Sequence, residues 1–497
     1  MGLIKTTIDA IKSLTRSNQK SNREAMKEYG NLENPRTAAK NIKLPAQSRE
    51  QEKALKTEPA KAQIRVWKKL LPDLLKDLSK IPDPRNPSMV KHQITVLMFY
   101  GLFMFIFRLK SVRELNSTLT TATVMEALEA IFPEITLCPH YSTITRLLEN
   151  IDSKYIQDAH IRLIKKLIRS KKFKKLYIEG KLPISLDGVQ KVVRDGIHQD
   201  EHWLERTIKT TEGEKIQKYV YVIEVNITFS NGLTIPLLSE FLEYDCNPNP
   251  LKQDCELTGF NRVIDTLKMY FKRQEILILL DKLYASEPVM NALENKRWSY
   301  MIVLPSGKLK HINKFLNNGK VILSTLPDQH YYRGRKQKWF FQNDILRSSG
   351  KKVNAIICLE SWTEVDPETG ENVVKFSEYR WITNLHVSIE NLHVIANLAA
   401  RKRWLIEDSN NTEKNRGYNY KHRYAYDWNA MICYHLLMRL AHAINALSEF
   451  SRVIKEHINK YGWGRILSWI KDILTNPWVD FEWVKEAAKS PELKIII

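Results

Sequence analysis

Glu275-Ile276-Leu277-Ile278-Leu279-Leu280-Asp281 is an unbroken apolar run closed by an acid. So short a run, rich in branched residues and bounded by charge, reads as a buried strand. Upstream, Leu182-Pro183-Ile184-Ser185-Leu186-Asp187 repeats the arrangement. Between the two lie β-rich segments, Tyr219–Phe229 (YVYVIEVNITF) and Leu233–Phe241, joined by Ser230-Asn231-Gly232. That is a hairpin signature. A helical pattern follows around Asp254–Arg273, and beyond Asp281 a helix from near Ser286 leads to a strand at Tyr300–Leu304. Hairpin, helix, strand, helix, strand predicts an α/β fold with a mixed sheet flanked by helices. An acid ending a buried strand stands at the sheet edge where open α/β folds bind ligands. Gly188, next to Asp187, admits close approach of backbone or ligand. Taken alone, either aspartate is better explained as a cap or turn residue.

Working outward, residues 1–59 are polar and charged and read as a flexible basic arm. Residues 60–175 read as a helical, DNA-binding domain, with Ile64, Trp67, Leu70, Leu71, Leu74 and Leu78 at helical spacing. Val96–Phe107 (VLMFYGLFMFIF) is too short to span a bilayer, which takes roughly 20 apolar residues, and reads as a buried helix. Ser111-Val112-Arg113-Glu114-Leu115 and Tyr141–Leu148 each offer a serine cap and an arginine. A helix-turn-helix reader and an ordinary helical bundle both fit them. Residues 176–304 hold the first part of the α/β core and 305–375 a strand-rich, polar insertion. The core resumes over 376–450, with a strand at Tyr379–Leu385, a long helix from about Ile389 past Glu407 and another at Tyr426–Phe450. Residues 451–497 read as a helical tail.

The net charge of +21 asks for an acidic partner, and nucleic acid is the usual one. Five scattered cysteines with no CxxC pair fit a reducing cytosol and no structural zinc. Cys246 and Cys255 flank one loop and read as free thiols. No GxxxxGK[ST] or GxSxG occurs, which argues against an ATP-driven motor and a serine hydrolase. His198-Gln199-Asp200-Glu201-His202 matches the HxxEH zinc pattern, but no third ligand is evident and chance explains it better.

The remaining chemistry lies late in the chain. In Arg403-Trp404-Leu405-Ile406-Glu407, arginine and glutamate stand four apart, and Lys414 lies seven beyond Glu407. On one helix these fall on a common stripe, a carboxylate between two cations suited to phosphate. A surface ion pair is the plainer explanation of Arg403 and Glu407 alone.

Strand-Asp, strand-Asp, strand-rich insertion, then R-W-x-I-E with a distant lysine resembles the insertion-sequence DDE transposases, and within them the group with a Tyr-Arg-Glu-Lys signature. Arg403, Glu407 and Lys414 stand in that register, while Ala400 occupies the tyrosine position. Leu280-Asp281-Lys282-Leu283-Tyr284-Ala285 and Ile382-Thr383-Asn384-Leu385 also look like family text. The resemblance covers roughly residues 85 to 445. It implies a ribonuclease H-like core in which Asp187, Asp281 and Glu407 hold two Mg2+ or Mn2+ ions. It also implies double-stranded DNA as partner at element ends and target, Arg403 and Lys414 on the DNA strand, and a homodimer in a synaptic complex. It offers Trp339, among Arg333, Arg335, Lys336 and Lys338, as the aromatic that stacks on a flipped base; packing inside the insertion's own core is the plainer account. Such proteins cut at element ends, liberate a 3′-hydroxyl and join it to target DNA, in the cytoplasm of prokaryotes beside the nucleoid. A non-catalytic DNA-binding descendant and a nuclease unable to join strands are the rival readings.

Overall fold

The computed structural model describes residues 46, 48–135, 138–196, 201–211, 213–246, 248–249, 252–317, 322–323, 330–365, 370–476 and 481–496. Most of the expected arm and most of the HxxEH pentapeptide therefore lie outside the described residues. The described chain forms two compact units, one of Glu275–Arg403 and one of Thr37–Gln274 with Trp404–Ile497. The mixed α/β architecture expected from the sequence is the one observed, strands flanked by helices with a helical region ahead of them.

In the Trp404-containing unit, a long helix runs Arg49–Leu78, its start capped by Ser48 Oγ accepting from the Gln51 amide at 3.2 Å. It begins inside the stretch expected to be an arm, and it buries the anticipated stripe of Ile64, Trp67, Leu70, Leu71, Leu74 and Leu78. Trp67 packs edge-on against Phe103 and Phe107, at 5.3 and 5.8 Å between ring centroids. Those phenylalanines flank the end of the helix Ile94–Ile106, every described residue of which is buried except Thr95. The expected C-terminal tail is part of this core. Helices Arg452–Tyr461, Trp463–Leu474 and Phe481–Ala488 pack on the first helix, and the Glu492 amide donates to the Arg65 carbonyl at 3.0 Å.

Helices Val112–Leu119, Ala122–Ile131, Tyr141–Asn150 and Lys154–Arg169 complete the helical region. Ser111 caps the first of these as anticipated. The third is capped by His140 Nδ1, which accepts from the Ser142 amide, so Ser142 sits inside the helix.

The strands of this unit are β1 (Leu182–Asp195), β2 (Leu204–Thr210), β3 (Gly213–Thr228) and β4 (Thr234–Leu242), all antiparallel. Long β3 pairs β1 along one edge and β2 then β4 along the other. Helix Glu256–Tyr270 follows.

The other unit carries β5 (Ile276–Leu280), β6 (Ser299–Val303), β7 (Ile322–Leu323), β8 (His330–Tyr332), β9 (Arg335–Leu346), β10 (Lys352–Val365) and β11 (Asn372–Thr383). Its order is β5-β6-β11-β10-β9-β7, with β5 and β6 parallel and β8 on β9. The strand-rich stretch does not end at residue 375. β11 runs through that point without a break and hydrogen-bonds to β6.

The long helix expected from Ile389 is a helical path in four pieces: an α-turn Ile389–His393, a π segment Val394–Ala399, a 3-10 segment Ala400–Trp404 and an α-helix Leu405–Asn415. π and 3-10 windings depart from 3.6 residues per turn, and Arg403 lies in the 3-10 segment. Gly417, at φ 93°, follows the end of the last piece, and a Cβ there would meet the Arg108 side chain at 2.9 Å.

Helix Trp428–Glu449 is long and apolar enough to cross a membrane, yet 94% of its apolar window is buried within the protein. It is the central core helix of its unit.

Candidate active site

Asp187 lies mid-way along β1, opposite Glu224 of β3. Directly opposed residues of an antiparallel pair point to the same face, so the two carboxylates share the face met by helices Leu405–Asn415 and Trp428–Glu449. Asn410, on helix Leu405–Asn415, donates its amide to Asp187 Oδ2 at 2.9 Å. Glu407 stands three residues before Asn410, and a spacing of three places both on one side of a helix. The structure thus brings Asp187 and the helix of Glu407 together, and joins them through a residue not expected from the sequence. The Asn410 amide orients the Asp187 carboxylate without adding a charge beside it. Lys414 follows two turns after Glu407, half-buried, with its ammonium 6.0 Å from the Tyr420 ring.

Gly188 acts through space. A Cβ there would fall 2.3 Å from both Glu256 Oε2 and the Tyr221 hydroxyl. The missing side chain makes room for the Tyr221 hydroxyl to donate to Glu256 at 2.8 Å, just beside Asp187 in the chain.

Behind Asp187 lies a buried ionic network. Glu224 is fully buried, forms an ion pair with Arg439 whose Nε lies 3.1 Å away, and accepts from the Tyr420 hydroxyl at 2.7 Å and from Ser239 Oγ at 2.6 Å. Arg439 also donates to Glu413 Oε1 at 2.9 Å, and His442 Nδ1 meets the same oxygen at 2.6 Å. Lys191 donates to the Tyr420 carbonyl at 2.7 Å and lies 3.3 Å from His435 Nδ1. Glu413 is on the helix of Glu407, so the network anchors that helix to the core.

Burial alone would raise both carboxyls, but Arg439, aided by the histidines, outweighs it and holds Glu224 and Glu413 below the usual carboxylate range. Burial pushes His435 and His442 down despite the adjacent glutamates. A neutral His435 satisfies its partners: Nε2–H donates to Glu224 Oε1 at 3.0 Å while Nδ1 accepts from Lys191. Burial also lowers Lys191 to about 8, with Glu224 and Glu413 opposing the shift. Two carboxylates therefore face one guanidinium and one ammonium, with neutral imidazoles between. The sequence carries a signal for this network. Glu224 interrupts an apolar strand, and His435, Arg439 and His442 recur at helical spacing within an apolar helix.

The other sequence-predicted residues lie in the Glu275–Arg403 unit. Asp281 follows β5 and caps the 3-10 turn Lys282–Tyr284, its Oδ1 accepting from the Leu283 amide at 2.8 Å. Arg403 is buried, 6% exposed, in the 3-10 segment. Trp339 is 1% exposed on the inward side of β9 with Gln337 and Phe341, while Lys336 and Lys338 alternate outward with the period of two that defines a strand. Among the described residues, no three His, Cys, Asp or Glu side chains are assembled as a metal site. The acids present are hard oxygen donors of the type that suits Mg2+ or Mn2+.

Sequence families locate this arrangement. Residues 241–445 match the family described as Transposase DDE domain. That match takes in β5 to β11 and the helices as far as Trp428–Glu449. Residues 75–164 match a second family, described as DDE_Tnp_1-associated, which covers the helices from the end of Arg49–Leu78 to Lys154–Arg169. Asp281, Glu407, Lys414 and the network residues Glu413, His435, Arg439 and His442 fall inside the DDE match, whereas Asp187 and Glu224 precede it. Among solved structures, the chain is similar to one described as a piggyBac transposase synaptic complex with hairpin DNA, seen by cryo-EM. The identity is 9%, the alignment covers 87% of this chain and 83% of that one, and the TM-score is 0.38. No curated protein matches the sequence.

Proposed function

We propose that this protein is a DNA transposase that binds element ends, cuts phosphodiester bonds with the help of two divalent ions, and joins the freed 3′-hydroxyl to target DNA. The observation that carries the reading is the Asn410–Asp187 hydrogen bond. It ties the strand aspartate to the helix that holds Glu407, within a chain whose residues 241–445 match the Transposase DDE domain family.

Asp187, Asp281 and Glu407 would hold Mg2+ or Mn2+, which when bound supplies an activated water and stabilises the leaving oxygen. The protein's own residues do the positioning. Asn410 fixes the Asp187 carboxylate, and the Glu413–Arg439 bridge fixes the helix of Glu407. Lys414 and Arg403 are the cations offered to the DNA strand, double-stranded DNA is the partner, and a homodimer would hold two ends together.

One observation favours a second reading, a non-catalytic DNA-binding protein derived from a transposase. Among the described residues the acids are not assembled as a metal site, and one Asp281 oxygen is engaged in a turn. An assay of labelled element ends with target plasmid and Mn2+ separates the two. The active reading expects nicking and joined product from the native protein, and neither from Asp187→Ala, which still binds ends. Joining that survives Asp187→Ala removes that residue from the chemistry, and binding without any cleavage by the native protein establishes the second reading.

A further inference from the structure

The unit that holds Asp187 also holds a cavity of about 540 Å3, none of whose lining residues belongs to the acids or the network described above. Helix Lys154–Arg169 supplies Lys165, Ile168 and Arg169, which at spacings of three and four share one face. The opposite wall is Met269–Gln274, where helix Glu256–Tyr270 ends and the chain turns out through Lys272 and Arg273.

Four cations, Lys165, Arg169, Lys272 and Arg273, therefore meet across an open depression. Among the described residues none of them forms an ion pair. Asp73 and Asp77 of helix Arg49–Leu78 are engaged with Lys166 and Arg162, and Asp158 of helix Lys154–Arg169 with the Tyr270 hydroxyl. Like charges crowded together oppose folding. Burial, then Arg169, then Lys272 lower the Lys165 ammonium from its ordinary value.

Cations near helix C-termini also offset the helix dipole. That accounts for Lys166 and Arg169 in the last turn of one helix and Lys268 in the other. It leaves Lys165, Lys272 and Arg273 unexplained. Ile168, buried Phe271 and exposed Met269 add apolar surface to the same lining. Cations and apolar groups together match a sugar-phosphate backbone, whose deoxyribose faces are apolar and whose phosphates carry charge.

We propose that this cavity is a second DNA seat, taking the phosphodiester backbone of a duplex through Lys165, Arg169, Lys272 and Arg273 without reading bases. The proposal rests on the chain being a DNA-handling protein, but not on its cutting DNA. The +21 net charge supplies the long-range attraction and the depression supplies a place for it to act.

The test uses the full-length protein and a duplex of random sequence without element ends, its binding followed by fluorescence anisotropy across a KCl series. The fourfold variant Lys165→Gln/Arg169→Gln/Lys272→Gln/Arg273→Gln is expected to lower the slope of log K against log salt by about 3 to 4, and to weaken binding on the order of 100-fold at physiological salt. An unchanged slope overturns the proposal. Acetylation of the native protein with and without duplex supplies an independent reading: protection of Lys165 and Lys272 supports the seat, and equal modification of both overturns it. Because the probe has no element ends, a native protein that fails to cut undoes the proposed chemistry and leaves this result standing.

Discussion

Replacing Arg439 with Met tests whether the buried network anchors the helix of Glu407. Arg439 is 1% exposed and bridges Glu224 and Glu413, two fully buried carboxylates on a strand and a helix. Removing the guanidinium leaves those two acids with Lys191 as the one remaining cation of the network. One carboxyl must then take up a proton at neutral pH. Raising a carboxyl from its ordinary value near 4.5 to 7, at about 1.4 kcal/mol per pH unit, costs about 3.4 kcal/mol. Deleting one partner of a buried pair costs about 3–5 kcal/mol, so the two routes agree on a loss of about 4 kcal/mol. The protonation route adds a signature that lost packing does not have. At pH 5 the proton comes almost free, and the difference between Arg439→Met and the native protein should fall to about 1–2 kcal/mol. Urea unfolding followed by tryptophan fluorescence at pH 5 and pH 7 measures both. Adding Glu413→Gln, which removes the orphaned charge, should recover about 2 kcal/mol at pH 7. A loss below about 1 kcal/mol at pH 7, or one equal at both pH values, would refute the idea that charge compensation holds this helix.

Other expectations follow from the same geometry. Asn410→Leu should leave the fold intact while raising the Mn2+ concentration for half-maximal cleavage by about tenfold, the usual effect of losing a hydrogen bond to a ligand; an unchanged metal dependence would show that Asn410 does not position Asp187. Acid should destabilise the protein in two stages. His160, lowered by burial to about 3, and His435 and His442, also lowered, are neutral when folded and take up protons when unfolded, so stability falls as pH drops below 6.5. Glu224 and Glu413, lowered overall, extend the loss below 4.5; a flat urea midpoint between pH 7 and 4 would contradict these assignments. Trp339→Ala should cost about 3–5 kcal/mol in urea unfolding and leave DNA affinity per folded molecule unchanged, whereas a selective loss of DNA affinity would restore the indole to the DNA surface.

How much of this was legible in the sequence depended on the range of the physics involved. The hairpin and the β5 strand were readable because burial alternation and turn chemistry are local. β1 was anticipated only up to Asp187 and runs on to Asp195, since its second half is held by cross-strand bonds to β3 that no window of sequence contains. The helix beyond Ile389 was expected to be uniform. Residue propensities do not register the switch through π and 3-10 windings, because tertiary packing and not side-chain preference sets the winding there. Trp339 was offered as a DNA contact because basic residues surround it in sequence. The strand periodicity that turns Lys336 and Lys338 out also turns the indole in, and that burial was legible beforehand. Asn410 was not singled out in the sequence as a site residue, for its partner lies on a strand more than two hundred residues earlier.

The distribution of charge explains why the anchor is ionic. A helix entered through π and 3-10 windings has its phase set by tertiary contacts as well as by its own turns, and rotation about its axis would break the Asn410–Asp187 hydrogen bond. Apolar packing resists such rotation weakly, because neighbouring apolar side chains substitute for one another with little loss. Hydrogen-bonded charges do not substitute. Glu413 Oε1 meets Arg439 and His442 and the Asn410 amide meets Asp187, contacts made at a single rotation of the helix. The network thus stabilises the fold little in net terms, since desolvating four charged groups consumes most of the attraction among them. Its return is register. If Arg439→Met/Glu413→Gln/Glu224→Gln, which replaces three of the four charges with neutral groups, kept native stability and also kept native cleavage, the network would be structural filling. Stability retained with cleavage lost is the outcome that register control requires.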